Sequence, residues 1–242
     1  MSPPESHGAL RRERLRTARL YLCCEARPHD RDPEALLRAA LNGGVDLVQL
    51  REKELGRGEI ERAAETYRRL CDTYSTLFIV NDDPDLARSC DADGVHVGSH
   101  AEVEAARELL GPDAIVGLST HSEEEVDAAN RLPVDYIAVG PVWETPTKPG
   151  RPAIGLEPIA HAAEHCVHPF FGIGGIDPTN AEQVVRAGAR RLVVVRAIRD
   201  ADDPTAAGEA LRAAFAVADG AANSQDALLD RPAPWRGVAP GG

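Results

Sequence analysis

Eight short apolar runs recur along the chain at near-regular intervals: RLYLCC (19–24), VDLVQL (45–50), TLFIV (76–80), DGVHV (93–97), AIVGL (114–118), DYIAV (135–139), PFFGI (169–173) and LVVV (192–195). Each is too short for a helix, and most are apolar at successive positions, the pattern of strands buried on both faces of a parallel sheet. Between them PEALLRAALNG, GEIERAAETYRRLCDTY, EVEAARELLG, EEEVDAANRL and PTNAEQVVRAG carry apolar residues at helical spacing, with acidic first turns and terminal glycines. Strands separated by helices predict βαβ units. An echo sharpens this: GGVDLVQL, CDADGVHV, LPVDYIAV and AGARRLVVV place a helix end just before the second, fourth, sixth and eighth strands. A repeat of two βα units suits a closed barrel, whose alternate strands feed the same core layers. The prediction is a single (β/α)8 TIM barrel over residues 18–219. An open doubly wound sheet is the runner-up, but no Gly-rich dinucleotide loop follows the first strand. Residues 1–17, polar and basic, are expected to form a mobile N-terminal extension, and residues 220–242, rich in Ala, Gly and Pro, a disordered C-terminal tail.

Composition narrows the function more than the fold. Aromatic residues are only 4% of the chain, so the core is expected to be aliphatic. The formal charge of −12 argues against nucleic-acid or anionic-membrane partners. No apolar run approaches the roughly 20 residues of a membrane span. Five cysteines without CxxC spacing read as reduced thiols, with Cys23 and Cys24 as core residues rather than a redox pair. A cytoplasmic protein with small-molecule substrates is expected, and a homo-oligomer is compatible with everything in the sequence.

In such a barrel the chemistry belongs to the C-terminal strand ends and the loops that follow. Those positions hold Gln49, Arg51 and Lys53 after the second strand, Asn81 and Asp82 after the third, His96 and His100 around the fourth, and Ser119 and His121 after the fifth. Lys148 sits in the loop after the sixth, Gly174 and Gly175 follow the seventh, and Val195 and Arg196 the eighth. Arg51, Lys53, Lys148 and Arg196 are cations in an acidic chain. The Gly-Gly turn and the turn into Arg196 offer backbone N–H groups where this fold recurrently binds phosphate. Two basic or N–H-rich patches imply two phosphorylated ligands, or one with two ends. Asp82 could share a Mg²⁺ ion with a diphosphate, or could serve as an Asx turn or N-cap for the PDLARS helix. No Ser-His-Asp or Cys-His constellation stands out, and His161, His165 and His168 fall away from the expected mouth.

From about Arg19 to Asp219 the chain resembles the thiamine phosphate synthase family, through QLREK (49–53), VNDDPD (80–85), DGVHVG (93–98), GLSTH (117–121), GPVWETPTKPG (140–150) and GIGGI (172–176). The resemblance implies a (β/α)8 enzyme, a transferase, that joins 4-amino-2-methyl-5-(diphosphooxymethyl)pyrimidine to a thiazole phosphate and releases diphosphate by a dissociative route. It implies that Gln49, Arg51, Lys53, Asn81, Ser119 and Lys148 hold the pyrimidine diphosphate. Asp82 would bind Mg²⁺, and Thr145, Pro146 and Thr147 with Gly175, Val195 and Arg196 would hold the thiazole phosphate. Arg51, Lys53 and Lys148 would neutralise the leaving group.

The chain departs from the family pattern in one consequential place. Gly-Gln-x-Asp usually follows the fourth strand and supplies a second Mg²⁺ carboxylate; here Gly98-Ser99-His100-Ala101 leaves Ala101 at that position. Two other readings stay open: a thiazole tautomerase-like barrel with His121 or His100 as acid/base, and a non-catalytic barrel that binds thiamine phosphate.

Overall fold

Eight strands close into one parallel barrel, the first strand pairing with both the second and the eighth. The computed structural model describes residues 7–146 and 150–216. The strands are β1 (Leu20–Cys24), β2 (Leu47–Leu50), β3 (Leu77–Asn81), β4 (Gly94–Val97), β5 (Ile115–Thr120), β6 (Tyr136–Val139), β7 (Phe170–Ile173) and β8 (Leu192–Val194). Each falls on one of the eight apolar runs. The helices are α1 (His7–Thr17), α2 (Glu34–Asn42), α3 (Arg57–Tyr74), α4 (Pro84–Ser89), α5 (His100–Leu110), α6 (Glu123–Ala129), α7 (Glu157–His165), α8 (Ala181–Arg186), α9 (Arg196–Arg199) and α10 (Pro204–Ala213). Among the described residues no helix is long and apolar enough to cross a membrane.

Strand alternation divides the apolar residues between two cores. Leu22, Val48, Phe78, Val95, Leu118 and Val139 face the helices, where they pack with Leu37, Leu70, Val103 and Ile159. Tyr21, Leu47, Ile79, Ile115, Tyr136 and Phe171 fill the barrel. The outer layer is mainly aliphatic, as the composition suggests. The interior is mainly aliphatic too, but it also holds the rings of Tyr21, Tyr136 and Phe171, which meet edge-on with centroids 5.4–6.0 Å apart. A scarce residue type is concentrated where three rings can fill the barrel's width.

The sequence echo has a physical role at the N-terminal end of the barrel. Asp46, Asp93 and Asp135 each immediately precede an even-numbered strand. Asp46 accepts from the N–H groups of Arg19 and Leu20 at 2.8 and 3.0 Å, Asp93 from Phe78 at 2.9 Å, and Asp135 from Val116 at 2.8 Å. Each carboxylate thus ties its strand to the preceding odd-numbered one, and each is neutralised by arginine: Arg212 on Asp46, Arg11 and Arg68 on Asp93, Arg12 and Arg107 on Asp135. In the fourth copy Arg191 replaces the acid and donates to the Arg16 carbonyl instead.

Two of those arginines come from α1, which corrects the expectation of a mobile N-terminal extension. From His7 onward the segment is helical, Leu15 is buried, and Leu15 and Ala18 pack in the interior core. The basic character of the segment, read as a mark of a mobile extension, matches the aspartates at the barrel's base. The tail expected at 220–242 lies outside the described residues.

Candidate active site

The C-terminal strand ends open into two adjoining cavities. The larger, about 750 Å³, is lined by Arg51, Lys53, Asn81 and Asp82, joined by Arg27 and Arg151. The loop after β2 is held by Glu52, which accepts from the N–H groups of Lys53, Glu54 and Ala26 at 2.7, 2.9 and 3.3 Å. Burial alone would raise the Glu52 carboxyl; the backbone donors outweigh it and hold the group below its ordinary value. The acid between two cations therefore fixes the loop as an anion, leaving Arg51 and Lys53 on the cavity wall.

Asp82 is exposed and stands at φ 60°, a left-handed conformation uncommon for a non-glycine residue, with its N–H on the His96 carbonyl at 2.8 Å. The N-cap of α4 is Asp83, which accepts from Leu86 N–H at 2.7 Å and also pairs with Arg57. The capping role considered for Asp82 is thus filled by its neighbour, and the Asp82 carboxylate stays on the cavity wall. Ala101 is exposed on α5, and Glu102 beside it is engaged by the N–H and hydroxyl of Ser99 at 2.9 and 2.7 Å. Among the described residues no group of three or more His, Cys, Asp or Glu side chains could hold a metal ion. Of the other carboxylates on this cavity's wall, Glu52 is taken by backbone N–H groups and Glu25 by Arg199, and Asp82 beside the cations fits a Mg²⁺ ion that arrives with phosphate oxygens rather than a metal held by protein alone.

The second cavity, about 320 Å³, is bounded by Ala138, Ile173 and Val193 and by Thr145, Gly175, Val195 and Arg196. Gly174 and Gly175 have φ of 105° and 66°, and a Cβ on Gly174 would lie 2.4 Å from Pro141 Cα, so the turn requires glycine there. The short helix α9 begins at Arg196, and the N–H groups of a first helical turn have no intrahelical acceptor. Gln49 sits on this cavity's floor, not with Lys53 in the larger one. Pro146 lines neither cavity but a shallower depression with Thr145 and Arg151. Thr147 and Lys148 lie outside the described residues.

The two cavities share one wall, formed by Arg51, Asn81, His96 and Ser119. A space lined by the cations Arg27, Arg51, Lys53 and Arg151 together with carboxylates, Glu25, Asp30, Glu52 and Glu54 besides Asp82, and a glycine-turn space therefore meet over four side chains. His121 lines the smaller cavity and engages the Gly140 carbonyl through Nδ1, while His100 lines neither cavity. His161 lies away from the mouth, on α7, bonded to Asp127 at 2.9 Å.

The thiamine monophosphate synthase family model matches residues 20–198, which spans all eight strands. The chain belongs to that family. It is 49% identical over 210 residues to the thiamine-phosphate synthase of Saccharopolyspora erythraea, covering 83% of this chain and 94% of that one. To the Thermobifida fusca thiamine-phosphate synthase it is 50% identical over 204 residues, with the same coverage. Among solved structures, the thiamine phosphate pyrophosphorylase of Pyrococcus furiosus superposes with a TM-score of 0.75 at 33% identity, covering 85% of this chain and 98% of that one.

Within this family frame, sequence reasoning passed over several residues that the fold brings to the site. Arg27 and Arg151 stand in loops whose path no periodicity reveals, yet both reach the larger cavity. Tyr21 and Tyr136 read as core residues, but their hydroxyls join a buried polar chain beneath the shared wall. The available signal was His96: a histidine at an inward position of an otherwise apolar strand requires partners.

Proposed function

We propose that this protein condenses 4-amino-2-methyl-5-(diphosphooxymethyl)pyrimidine with thiazole phosphate to give thiamine phosphate and diphosphate, in thiamine biosynthesis. Family membership supports the reaction, and the shared wall carries the assignment of its parts. The larger cavity takes the diphosphate on Arg51, Lys53 and Asn81, with Arg27 and Arg151 adding charge. The pyrimidine ring lies against Ser119 and above Gln49. The smaller cavity takes the thiazole phosphate on Thr145, Gly175, Val195 and Arg196. By family resemblance Lys148 completes the diphosphate side, and Pro146 and Thr147 complete the thiazole side.

The residues then do electrostatic and positional work. The pyrimidine-methyl C–O bond breaks as diphosphate leaves with the electron pair. Cations fixed beside the leaving oxygens lower that barrier without having to reorganise. The thiazole nitrogen, held in the adjoining cavity, supplies its lone pair to the exposed methylene carbon, and holding both partners replaces a bimolecular encounter with an aligned one. Mg²⁺, held by Asp82 and the substrate's phosphate oxygens, would supply further neutralisation of the leaving group. A cytoplasmic setting is part of the same reading, supported by five cysteines that remain thiols rather than disulfides.

The test is incubation of the purified chain with both substrates and Mg²⁺, with thiamine phosphate and diphosphate measured in parallel. Equal amounts of the two products are expected. Isomerisation of a thiazole carboxylate phosphate without condensation would favour a tautomerase, and tight binding of thiamine phosphate without turnover would favour a non-catalytic barrel.

A further inference from the structure

Beneath the shared wall a continuous chain of hydrogen bonds crosses the barrel. Cys23 Sγ donates to Gln49 Oε1 at 3.1 Å, and Gln49 Nε2 donates to the Tyr21 hydroxyl at 2.6 Å. The Tyr21 and Tyr136 hydroxyls are 3.0 Å apart, Tyr136 reaches His96 Nδ1 at 3.0 Å, and His96 Nε2 reaches Ser119 Oγ at 3.0 Å. All six residues are at least 92% buried. A chain of this kind has two possible senses, because each hydroxyl donates once and the imidazole can protonate at either nitrogen.

The Gln49 amide selects between them. Its oxygen receives the Cys23 thiol, so its nitrogen faces Tyr21, and the Tyr21 oxygen is an acceptor there. The Tyr21 proton then goes to Tyr136, and the Tyr136 proton to His96 Nδ1. Burial holds both phenols well above their ordinary ionisation range, so neither proton is lost. With Nδ1 accepting, the neutral imidazole carries its proton on Nε2 and donates it to Ser119 Oγ. The Ser119 oxygen is thereby occupied as an acceptor from below. Its own proton is left to point into the space where both cavities meet.

We propose that Tyr136 is a positioning residue: acting through His96, it fixes the Ser119 hydroxyl as a hydrogen-bond donor toward an acceptor atom of the pyrimidine diphosphate at the shared wall. Tyr136 itself lines neither cavity. Its ring is held by Tyr21, Phe171 and a stacked His96, and Gly117 leaves room for it: a Cβ there would lie 2.1 Å from Tyr136 Cζ. The fold thus gives up a side chain on β5 to seat this hydroxyl between β1 and β4. The proposal rests on the synthase reading for the ligand's identity, but not for the sense of the chain.

Two measurements test it. The first is ¹⁵N NMR of the histidine side chains in the full chain without ligand, with His96 assigned by the signal lost in His96→Asn. The expected result is a neutral ring protonated at Nε2; a ring protonated at Nδ1 reverses the chain and overturns the proposal. The second is a double-mutant cycle of Tyr136→Phe and Ser119→Ala, with kcat and both KM values measured. Tyr136→Phe keeps the ring and is expected to lower kcat about tenfold, the scale of one misdirected hydrogen bond, while KM for thiazole phosphate stays within about twofold. In the Ser119→Ala background the same change should cost less than about twofold, because the group it acts through is gone. An equal cost in both backgrounds means a purely structural Tyr136 and overturns the proposal. If the wild type makes no thiamine phosphate, the function reading fails while the tautomer measurement still decides the sense of the chain.

Discussion

Truncating Leu15 tests whether α1 is part of the folded barrel. The side chain is 1% exposed and packs with Leu47, Leu77, Ile115 and Val193 in the interior core. Leu15→Ala leaves a cavity that the strands around it cannot collapse into, because they are fixed by the barrel's closed hydrogen bonding. Losses for such truncations run from about 2 to 5 kcal/mol. At roughly 2–4 °C per kcal/mol for a domain of this size, the thermal midpoint should fall by about 4–20 °C. Leu10 on the same helix is 44% exposed, and Leu10→Ala should cost under about 0.5 kcal/mol. Scanning calorimetry of the two variants beside the wild type is the assay, with kcat/KM taken well below the transition. Activity there should be unchanged in both, since α1 closes the end of the barrel opposite the cavities. A midpoint for Leu15→Ala within about 1 °C of the wild type, or equal shifts for both variants, would show that the helix does not contribute to the core.

Other perturbations address different parts of the structure. Asp93→Ala leaves Arg11 and Arg68 without their shared carboxylate and strips the Phe78 N–H of its acceptor, so denaturant titration should show a loss of about 3–5 kcal/mol. Burial pushes the Cys71 thiol from 9.0 up to about 12, so the unfolded thiol ionises first. Stability should be level below about pH 9 and fall as pH rises toward 12; Cys71→Ala should make the midpoint drop between pH 8 and pH 10 smaller, and an unaltered drop would contradict the burial argument. If Asp82 is the carboxylate that meets Mg²⁺, as proposed, Ala101→Asp should lower the Mg²⁺ concentration for half-maximal rate and Asp82→Ala should raise it, read from initial rates across a Mg²⁺ titration. A midpoint unmoved by Ala101→Asp would show that position 101 does not face the metal.

The barrel was legible because its signals are local. Each strand is three to six residues long, its apolar character set by burial on both faces, and each apolar run marks its strand to within two residues at either end. The echo before the even-numbered strands was visible as a pattern, although its cause was not. An aspartate before a strand looks like an ordinary turn residue until the neighbouring strand's N–H groups and an arginine from a distant helix are placed around it. The same blindness explains α1. Its sequence HGALRRERLRT has little amphipathic pattern, because two arginines face carboxylates at the barrel's base where an apolar stripe would be expected.

The site divides along the same line. Charged residues that line the larger cavity at a strand end, such as Arg51, Lys53 and Asp82, announce themselves because a cation or acid just after an apolar run has few structural reasons to be there. Residues that act through a partner do not. Tyr21 is on β1, Gln49 on β2, His96 on β4, Ser119 on β5 and Tyr136 on β6; no spacing along the chain relates them, and each taken alone is a plausible core residue. Only closure of the barrel brings the β1 and β6 hydroxyls within 3.0 Å. Burial then turns that proximity into a constraint, since each polar atom inside must find a partner and every partner limits the next. A motif such as GVHVG therefore marks where a polar group enters the core, while the direction in which its proton points is decided two strands away by the amide of Gln49.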